Sequence, residues 1–256
     1  MPWRDIFLNT MSCSRFPADS YVHSVSIANA YRLNRRHEMK ILAVSDEECP
    51  ALWDYYVPGR LEPYDLILAC GDLKASYLTF LVTMSHARLL YVHGNHDVNY
   101  ASFPPEGCDD IDGQLVVYNG VRILGLGGCL RYHDGPHQYT EKQMQRRISR
   151  LRRSIKKAGG VDIVISHCPP RGLGDTDAPA HRGFEAFVSL LETYKPRYLL
   201  HGHTHLNYGR DIPRIIKYED SEIINVFSRY EIDYPAPSDR AADLIWISKK
   251  RGRDGK

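Results

Sequence analysis

The stretch YVHGNHD, residues 91–97, places glycine, amide, imidazole and carboxylate groups directly after a short apolar run, residues 89–92. A run of this length and composition is typical of a strand that is covered on both faces. Polar groups at the carboxyl end of such a strand lie where open α/β sheets hold their functional sites. We therefore expect a site at residues 94–97.

Four other apolar runs end in the same way. They span residues 41–45, 66–70, 161–166 and 198–200. The polar residues that follow them include Asp46, Glu48, Asp72, His167, His203 and His205. Carboxylate, amide and imidazole groups are ligands for divalent metals in proteins. Because chance does not readily produce five such strand ends, the sequence predicts a metal site.

The order of these motifs resembles the calcineurin-like metallophosphoesterase family. That family has Asp-x-His, Gly-Asp, Gly-Asn-His-Asp or -Glu, a lone histidine and Gly-His-x-His. The matching residues are Asp46 with Glu48, Gly71-Asp72, Gly94-Asn95-His96-Asp97, His167 and Gly202-His203-Thr204-His205. The resemblance runs from about residue 39 to the C-terminal region, and it departs at Glu48, where the family usually has histidine.

The resemblance implies a four-layer α/β/β/α sandwich of two mixed sheets with flanking helices, whereas composition alone indicates only an α/β protein. It also implies a metal-dependent phosphoric ester hydrolase. Two divalent cations, with manganese, iron and zinc as candidates, would activate a hydroxide that attacks a phosphodiester or phosphomonoester. Two alternatives stay open: a scaffold of this fold that has lost catalysis, and a nuclease, which would be expected to bring extra basic or aromatic domains.

The resemblance further implies a role for each motif residue. The implied metal ligands are Asp46, Asp72 and His205 for one cation, with Glu48 as an open choice, and Asp72, Asn95, His167 and His203 for the other. Asp72 would thus bridge the two cations. His96 would face the substrate and either protonate the leaving oxygen or stabilise the transition state, and Asp97 would orient its ring.

Glu48 lies two residues after Asp46, so an extended backbone would point both side chains the same way. As a ligand, Glu48 would add a third carboxylate beside Asp46 and Asp72 and would favour harder cations such as Mn²⁺ or Fe over Zn²⁺. The alternative is that Glu48 points to solvent and a water takes its place.

Two loops carry candidate substrate contacts. One holds Arg131, His133 and His137, and the other holds Arg171, His181 and Arg182. Arginine suits a phosphate because its planar guanidinium can bind two oxygens, although arginines are also common on protein surfaces. The substrate contacts that we retain as candidates are Arg131, His137, Arg171 and Arg182.

Composition limits the partners. The net charge of +2 is too small to predict a nucleic-acid or membrane partner. No run approaches the roughly 18 apolar residues of a membrane helix, and the first residues lack the apolar segment of a signal peptide. We expect a cytoplasmic protein whose partner is a phosphoester, nucleotide-like ones included. The sequence does not indicate an oligomeric state.

Local patterns predict several further elements. Thr140 and Gln143 form a capping-box pattern that begins a helix, and Gly159-Gly160 ends it. Its basic face could contact nucleic acid, but a solvated surface is favoured because no aromatic residue interleaves the charges. Helices are also expected over about residues 50–56, 75–85 and 183–194, a loop over 99–113, and a hairpin at Asn119-Gly120.

The chain of 256 residues is expected to form one domain over residues 39–250. Residues 1–38 lack strong periodicity and are predicted to be a flexible extension with no part in the site, unless translation begins at Met39. Residues 251–256 form a basic tail. The six cysteines contain no CxxC pair, and free thiols are the favoured interpretation.

Overall fold

The computed structural model describes residues 38–207, 212–235 and 244–248. The predicted extension, apart from Glu38, and the predicted basic tail therefore lie outside the described residues. The strands of the described part are β1 (Glu38–Ser45), β2 (Leu66–Ala69), β3 (Arg88–Tyr91), β4 (Asp109–Asp110), β5 (Gln114–Tyr118), β6 (Val121–Leu126), β7 (Cys129–Leu130), β8 (Gln138–Tyr139), β9 (Ile163–Ser166), β10 (Tyr198–His201), β11 (Ile215–Tyr218), β12 (Ser221–Asn225), β13 (Ser228–Pro235) and β14 (Leu244–Trp246). The helices are α1 (Ala75–Thr83), α2 (Glu141–Ala158) and α3 (Glu185–Tyr194).

Two mixed sheets form the body of the fold. In the first, of order β13-β1-β2-β3-β4, the strands β1 to β4 run parallel and β13 is antiparallel to β1. In the second, of order β11-β12-β10-β9-β6-β5-β14, the central strands β12, β10, β9 and β6 run parallel. Parallel neighbours need crossover connections, and α1, α2 and α3 lie in such connections.

Three apolar layers hold four layers of structure together. Because strand side chains alternate between faces, neighbouring residues of one strand enter different layers. Ile41 packs between the two sheets with Ile123, whereas Leu42 packs with Tyr77 of α1 on the outer face of the first sheet. Val164 and Leu199 pack with Met144 of α2 and Phe187 of α3 on the outer face of the second sheet. The predicted α/β/β/α sandwich is confirmed.

The start and end of α2 agree with the sequence prediction. Thr140 Oγ1 accepts the Gln143 N–H at 3.3 Å, and the Gln143 side chain accepts the Thr140 N–H at 2.7 Å. Gly159 ends the helix with a φ of 77°, a conformation that glycine adopts readily. The hairpin at Asn119-Gly120 is also confirmed, since both residues have the positive φ of a type I′ turn.

Other elements differ from the prediction. The helix expected over residues 50–56 is only a 3₁₀ turn, Pro50–Leu52, and the loop expected over 99–113 contains β4. The strands β11 and β13 were not predicted. All eight residues of β13 pair with β1, so this strand covers what would otherwise be an edge of the first sheet.

The described part of the chain bears on the state of the cysteines and on membrane-spanning helices. Cys49, Cys70, Cys108, Cys129 and Cys168 are free thiols, as expected. Over residues 38–207, 212–235 and 244–248, no helix combines the length and apolar character of a membrane span.

Candidate metal centre

Sharp turns follow the strands that carry the candidate ligands. Asp46, Asp72 and His203 adopt left-handed φ values of 64°, 55° and 67°. Residues other than glycine hold this conformation at a cost of about 1–3 kcal/mol each, and such residues cluster at functional sites. The three turns bring side chains from both sheets to one place.

Two glycines allow the turns to approach closely. A Cβ atom on Gly94 would overlap the Asp72 carboxylate, and a Cβ atom on Gly202 would overlap the Ser45 hydroxyl and the Asp46 carboxylate. Any larger residue at either position would displace a candidate ligand.

Four side chains converge in a buried cluster, Asp72, Asn95, His167 and His203, which we call the closed group. His167 Nε2 lies 3.2 Å from Asp72 Oδ2, 3.2 Å from Asn95 Oδ1 and 3.1 Å from His203 Nδ1. Donor atoms around a tetrahedral ion with bonds of about 2.0–2.2 Å lie about 3.3–3.6 Å apart. The donor set therefore fits a divalent cation, provided that the donor atoms move apart by a few tenths of an ångström.

Hydrogen bonds to backbone carbonyl oxygens, on the side away from the cluster centre, orient both imidazole rings of the closed group. His167 Nδ1 lies 2.9 Å from the Cys70 carbonyl oxygen, and His203 Nε2 lies 2.6 Å from that of Ala180. A carbonyl oxygen only accepts, so these nitrogens carry the ring protons. In the neutral rings, His167 Nε2 and His203 Nδ1 are then the bare nitrogens, and they face each other as metal-binding histidines do.

The charges of the closed group favour a cation at its centre. Burial opposes a charge on His167, but Asp72, Asp46 and the Cys70 carbonyl oxygen together outweigh burial and raise the pKa of His167 to about 9. Burial, reinforced by His167, lowers the pKa of His203 to about 3. Burial alone would raise the pKa of Asp72, yet His167 and His96 together hold it well below its ordinary range. Without a metal, His167 thus carries a proton that balances the Asp72 charge, and a cation bound there would replace that proton.

A second, more accessible pair consists of Asp46 and His205, which we call the open group. Asp46 Oδ1 lies 3.6 Å from His205 Nε2, and the Asp46 carboxylate also accepts the His203 N–H at 2.9 Å and the Ser45 hydroxyl. The His205 side chain remains 31% exposed and packs against the Phe227 ring.

Glu48 does not join either group in this arrangement. Its carboxylate accepts the Lys74 N–H at 3.0 Å and the Lys74 ammonium at 3.3 Å, at the start of α1. The left-handed φ of Asp46 explains the difference from the sequence argument, because the backbone there is not extended. Asp46 and Glu48 therefore do not point the same way.

His96 and Asp97 lie on opposite sides of their turn. The His96 side chain is 75% exposed, and its Nε2 lies 4.0 Å from Asp72 Oδ2. Asp97 is buried, and its Oδ2 accepts the N–H groups of Gly94 at 2.7 Å and Asp72 at 3.0 Å. The expected contact of Asp97 with the His96 ring is thus replaced by contacts that hold two of the turns.

A cavity of about 300 Å³ opens onto both groups. It is lined by Asp46, Asp72, Asn95, His96, Tyr132, Ala180, His181, His203 and His205. Small-molecule sites in proteins have volumes of about 300–1,000 Å³, so this cavity lies at the lower end of that range.

A sequence model of the calcineurin-like phosphoesterase family matches residues 39–207, about two thirds of the chain. The chain belongs to this family. The matched segment contains every candidate ligand and also His96 and Asp97.

Individual relatives are distant. A lariat debranching enzyme of Entamoeba histolytica is 24% identical over 165 residues, which is 54% of this chain and 45% of that protein. The chain therefore spans less than half the length of this curated relative. The crystal structure of TT1561 of Thermus thermophilus aligns with a TM-score of 0.51 at 16% identity, over 74% of this chain and 89% of the other. Another crystal structure aligns with a TM-score of 0.58 at 13% identity, over 82% of this chain and all of the other. Both likenesses support the fold.

Two of the four expected substrate residues contact other side chains in this calcineurin-like phosphoesterase, and the other two lie outside the cavity lining. Arg171 pairs with Asp175 at 2.7 Å and Asp177 at 3.2 Å, and His137 stacks on His93 with 4.3 Å between ring centroids. Arg131 and Arg182 are exposed, and neither is among the described residues that line the cavity.

Sequence reasoning missed two participants in the site. The Tyr132 hydroxyl accepts from Asn95 Nδ2 at 3.4 Å, which turns Asn95 Oδ1 toward His167. Tyr132 lies between Arg131 and His133 in the predicted loop, so its position could have indicated it. The Ala180 carbonyl oxygen could not be found from side-chain patterns, because it is a backbone atom.

Proposed function

We propose that this member of the calcineurin-like phosphoesterase family is a dimetal phosphoesterase that hydrolyses a phosphodiester or a phosphomonoester. The closed group would hold one divalent cation, the open group would hold a second, and Asp72 would touch both. Oxygen and imidazole donors suit manganese, iron or zinc.

The observation that carries the proposal is the orientation of the two buried imidazoles. Each donates backward to a carbonyl oxygen and turns its other nitrogen into the closed group, where His167 Nε2 lies beside Asp72 and Asn95 and His203 Nδ1 lies beside His167 Nε2. The two nitrogens lie within 3.1 Å of each other beside a carboxylate and an amide oxygen, and these four groups are the donor types of a divalent-metal site. This arrangement supports a metal centre and argues against a scaffold that has lost its ligands.

Two cations bound there would acidify a water and neutralise the phosphoryl oxygens. Asp72 is kept ionised, so it supplies negative charge to both positions. The Tyr132 hydroxyl and the Ala180 carbonyl oxygen hold the Asn95 amide and the His203 ring in place. His96 projects into the cavity beside them and is suited to donate a proton to the leaving oxygen.

A nucleotide-type substrate is part of the proposal, and similarity to a lariat debranching enzyme supports it. The basic face of α2 does not enter the cavity, since none of the described residues lining the cavity belongs to α2. A nuclease that binds a long nucleic acid along the basic face of α2 is therefore the less favoured form of this activity.

The test is metal analysis of the purified chain followed by hydrolysis assays. The substrates are bis-p-nitrophenyl phosphate, p-nitrophenyl phosphate and cyclic nucleotides, each assayed after chelation and after return of Mn²⁺ or Zn²⁺. We expect hydrolysis that chelation abolishes and a cation restores. A chain that binds neither cation and cleaves none of these esters would overturn the proposal.

A further inference from the structure

The ring of His203 depends on an atom from a distant part of the chain. His203 Nε2 donates to the carbonyl oxygen of Ala180 at 2.6 Å, and these residues are 23 positions apart. That contact selects one ring orientation and one tautomer, so that Nδ1 faces His167 Nε2. Whatever fixes Ala180 therefore also fixes the donor atom that His203 offers.

Ala180 lies in the loop of residues 169–184, which closes on itself at its base. Arg171 N donates to Phe184 O at 3.1 Å, and Phe184 N donates to Pro169 O at 3.1 Å. Gly183 permits the closure, because a Cβ atom there would lie 2.5 Å from the Pro170 carbonyl carbon. Further along the loop, Thr176 N donates to His181 O at 3.2 Å, next to Ala180.

Asp175 joins the two sides of this loop from within. Its side chain is only 4% exposed. It accepts the Gly172 N–H at 2.8 Å, the Gly183 N–H at 2.9 Å and the Arg171 guanidinium at 2.7 Å. A buried carboxylate that accepts three hydrogen bonds holds its surroundings firmly, because the carboxylate would lose its compensation for burial if these bonds were released.

We propose that Asp175 is a positioning residue for His203, acting through the loop that presents the Ala180 carbonyl oxygen to the His203 ring. The inference rests on the proposed function, because it treats His203 as a metal ligand, and it gives that ligand a support outside the metal centre. It also assigns Arg171 to the loop, as a partner of Asp175, instead of to the substrate.

The experiment compares Asp175→Ala with Asp177→Ala in the full chain. Asp177 is a matched control, since it lies in the same loop and also pairs with Arg171, but its side chain is 96% exposed. The first readout is the His203 tautomer of the metal-free protein, from long-range ¹H–¹⁵N spectra. The second is the affinity for Mn²⁺ by calorimetry. Asp175→Asn, which keeps the shape of the side chain, provides the comparison if Asp175→Ala does not fold.

We expect the Nε2–H tautomer of His203 in wild type and in Asp177→Ala, and a mixture of tautomers in Asp175→Ala or Asp175→Asn. The affinity for Mn²⁺ should fall by about 10- to 100-fold in the Asp175 variants, as is typical when the support of a metal ligand is lost. An Asp175 variant that keeps both the tautomer and the affinity would overturn the inference. If wild type binds no Mn²⁺ or Zn²⁺, the proposed function fails separately, and the tautomer comparison alone decides the role of Asp175.

Discussion

The closed group and the open group lie at one cavity but differ in how much of their geometry the protein supplies. In the closed group, backbone carbonyl oxygens fix both imidazoles, and the Tyr132 hydroxyl fixes the Asn95 amide. In the open group, the Asp46 side chain is buried, whereas His205 is partly exposed. Glu48, which could have added a ligand there, binds Lys74 instead.

This difference indicates two unequal cation positions. The closed group offers four donor side chains before any cation binds, so little ordering remains to be done on binding. The open group offers Asp46, His205 and a share of Asp72. We expect one cation to stay bound through purification and the other to exchange more readily.

Asp72→Ala should have the largest effect because it removes the side chain shared by both positions. Both cations and all phosphoesterase activity should be lost, while the fold persists. Metal analysis and circular dichroism measure these outcomes, with Asp54→Ala, an exposed carboxylate, as control. If Asp72→Ala retained two cations at full occupancy, the shared role would be wrong.

The direct comparison of the two groups is His167→Ala against His205→Ala. His167 is fully buried and central to the closed group, so its loss should abolish tight binding of the first cation. His205→Ala should keep the first cation and weaken only the second. Calorimetric titration with Mn²⁺ resolves the two steps. Equal losses in the two variants would contradict an unequal pair of positions.

His96→Ala should separate chemistry from metal binding. The His96 ring lies in the cavity without joining the closed group, so both cations should remain. Loss of a proton donor or charge stabiliser typically lowers a rate by about 10²–10⁴. The activity assay should show a decrease in that range, and His86→Ala, an exposed histidine, should show none. Loss of a cation in His96→Ala would make His96 a ligand.

The sequence predicted these two groups unequally well, for physical reasons. All five strand ends were confirmed, because short apolar runs and the turns that follow them are local features. β13 carries Tyr230, Ile232 and Tyr234 in alternation, so a period-two reading could have found it. The contacts of Glu48 could not be predicted, because they depend on the left-handed backbone conformation of Asp46 and on the position of Lys74 at the start of α1. The Ala180 contact depends on the path of a loop.

Two ion pairs outside the closed and open groups extend the comparison between buried and exposed charges. Asp112 and Arg147 lie 2.5 Å apart, and their side chains are only 13% and 14% exposed. Asp112 also accepts the Gly127 N–H. The next residue, Gly128, donates its N–H to the carbonyl oxygen of His93, which precedes the Gly94-Asn95 turn of the closed group. Asp112→Asn should lower the free energy of unfolding by about 3–5 kcal/mol, because a buried charge loses its partner. Asp109→Asn, at the more exposed pair with Arg88, should cost at most about 1 kcal/mol in chemical denaturation.

The difference in unfolding free energy between wild type and Asp112→Asn should depend on pH with a definite sign. Burial opposes the charge of Asp112, but Arg147, the Gly127 N–H and His93 together outweigh burial and lower the pKa of Asp112. A lowered folded-state pKa stabilises the protein above the unfolded value of about 3.9, and that stabilisation is lost as pH falls through the folded value. The gap between wild type and Asp112→Asn should therefore stay constant from neutral pH to about pH 4 and shrink below it. A gap that already shrinks at pH 6 would contradict the assignment.

The smallest effect is expected at Glu48, where the chain departs from its family. Its carboxylate engages both nitrogens of Lys74, and the Lys74 side chain is 72% exposed. Glu48→Ala should therefore bind two cations as tightly as wild type and lose at most about 1 kcal/mol of stability. Glu48→His restores the residue usual in the family, and it should strengthen only the second cation, because the closed group is complete without it. Calorimetry with Mn²⁺ and with Zn²⁺ compares the three proteins. Weaker binding of the second cation in Glu48→Ala would mean that Glu48 leaves Lys74 and becomes a ligand when the metal binds. The open group would then gain a further protein ligand, and the contrast with the closed group would be smaller.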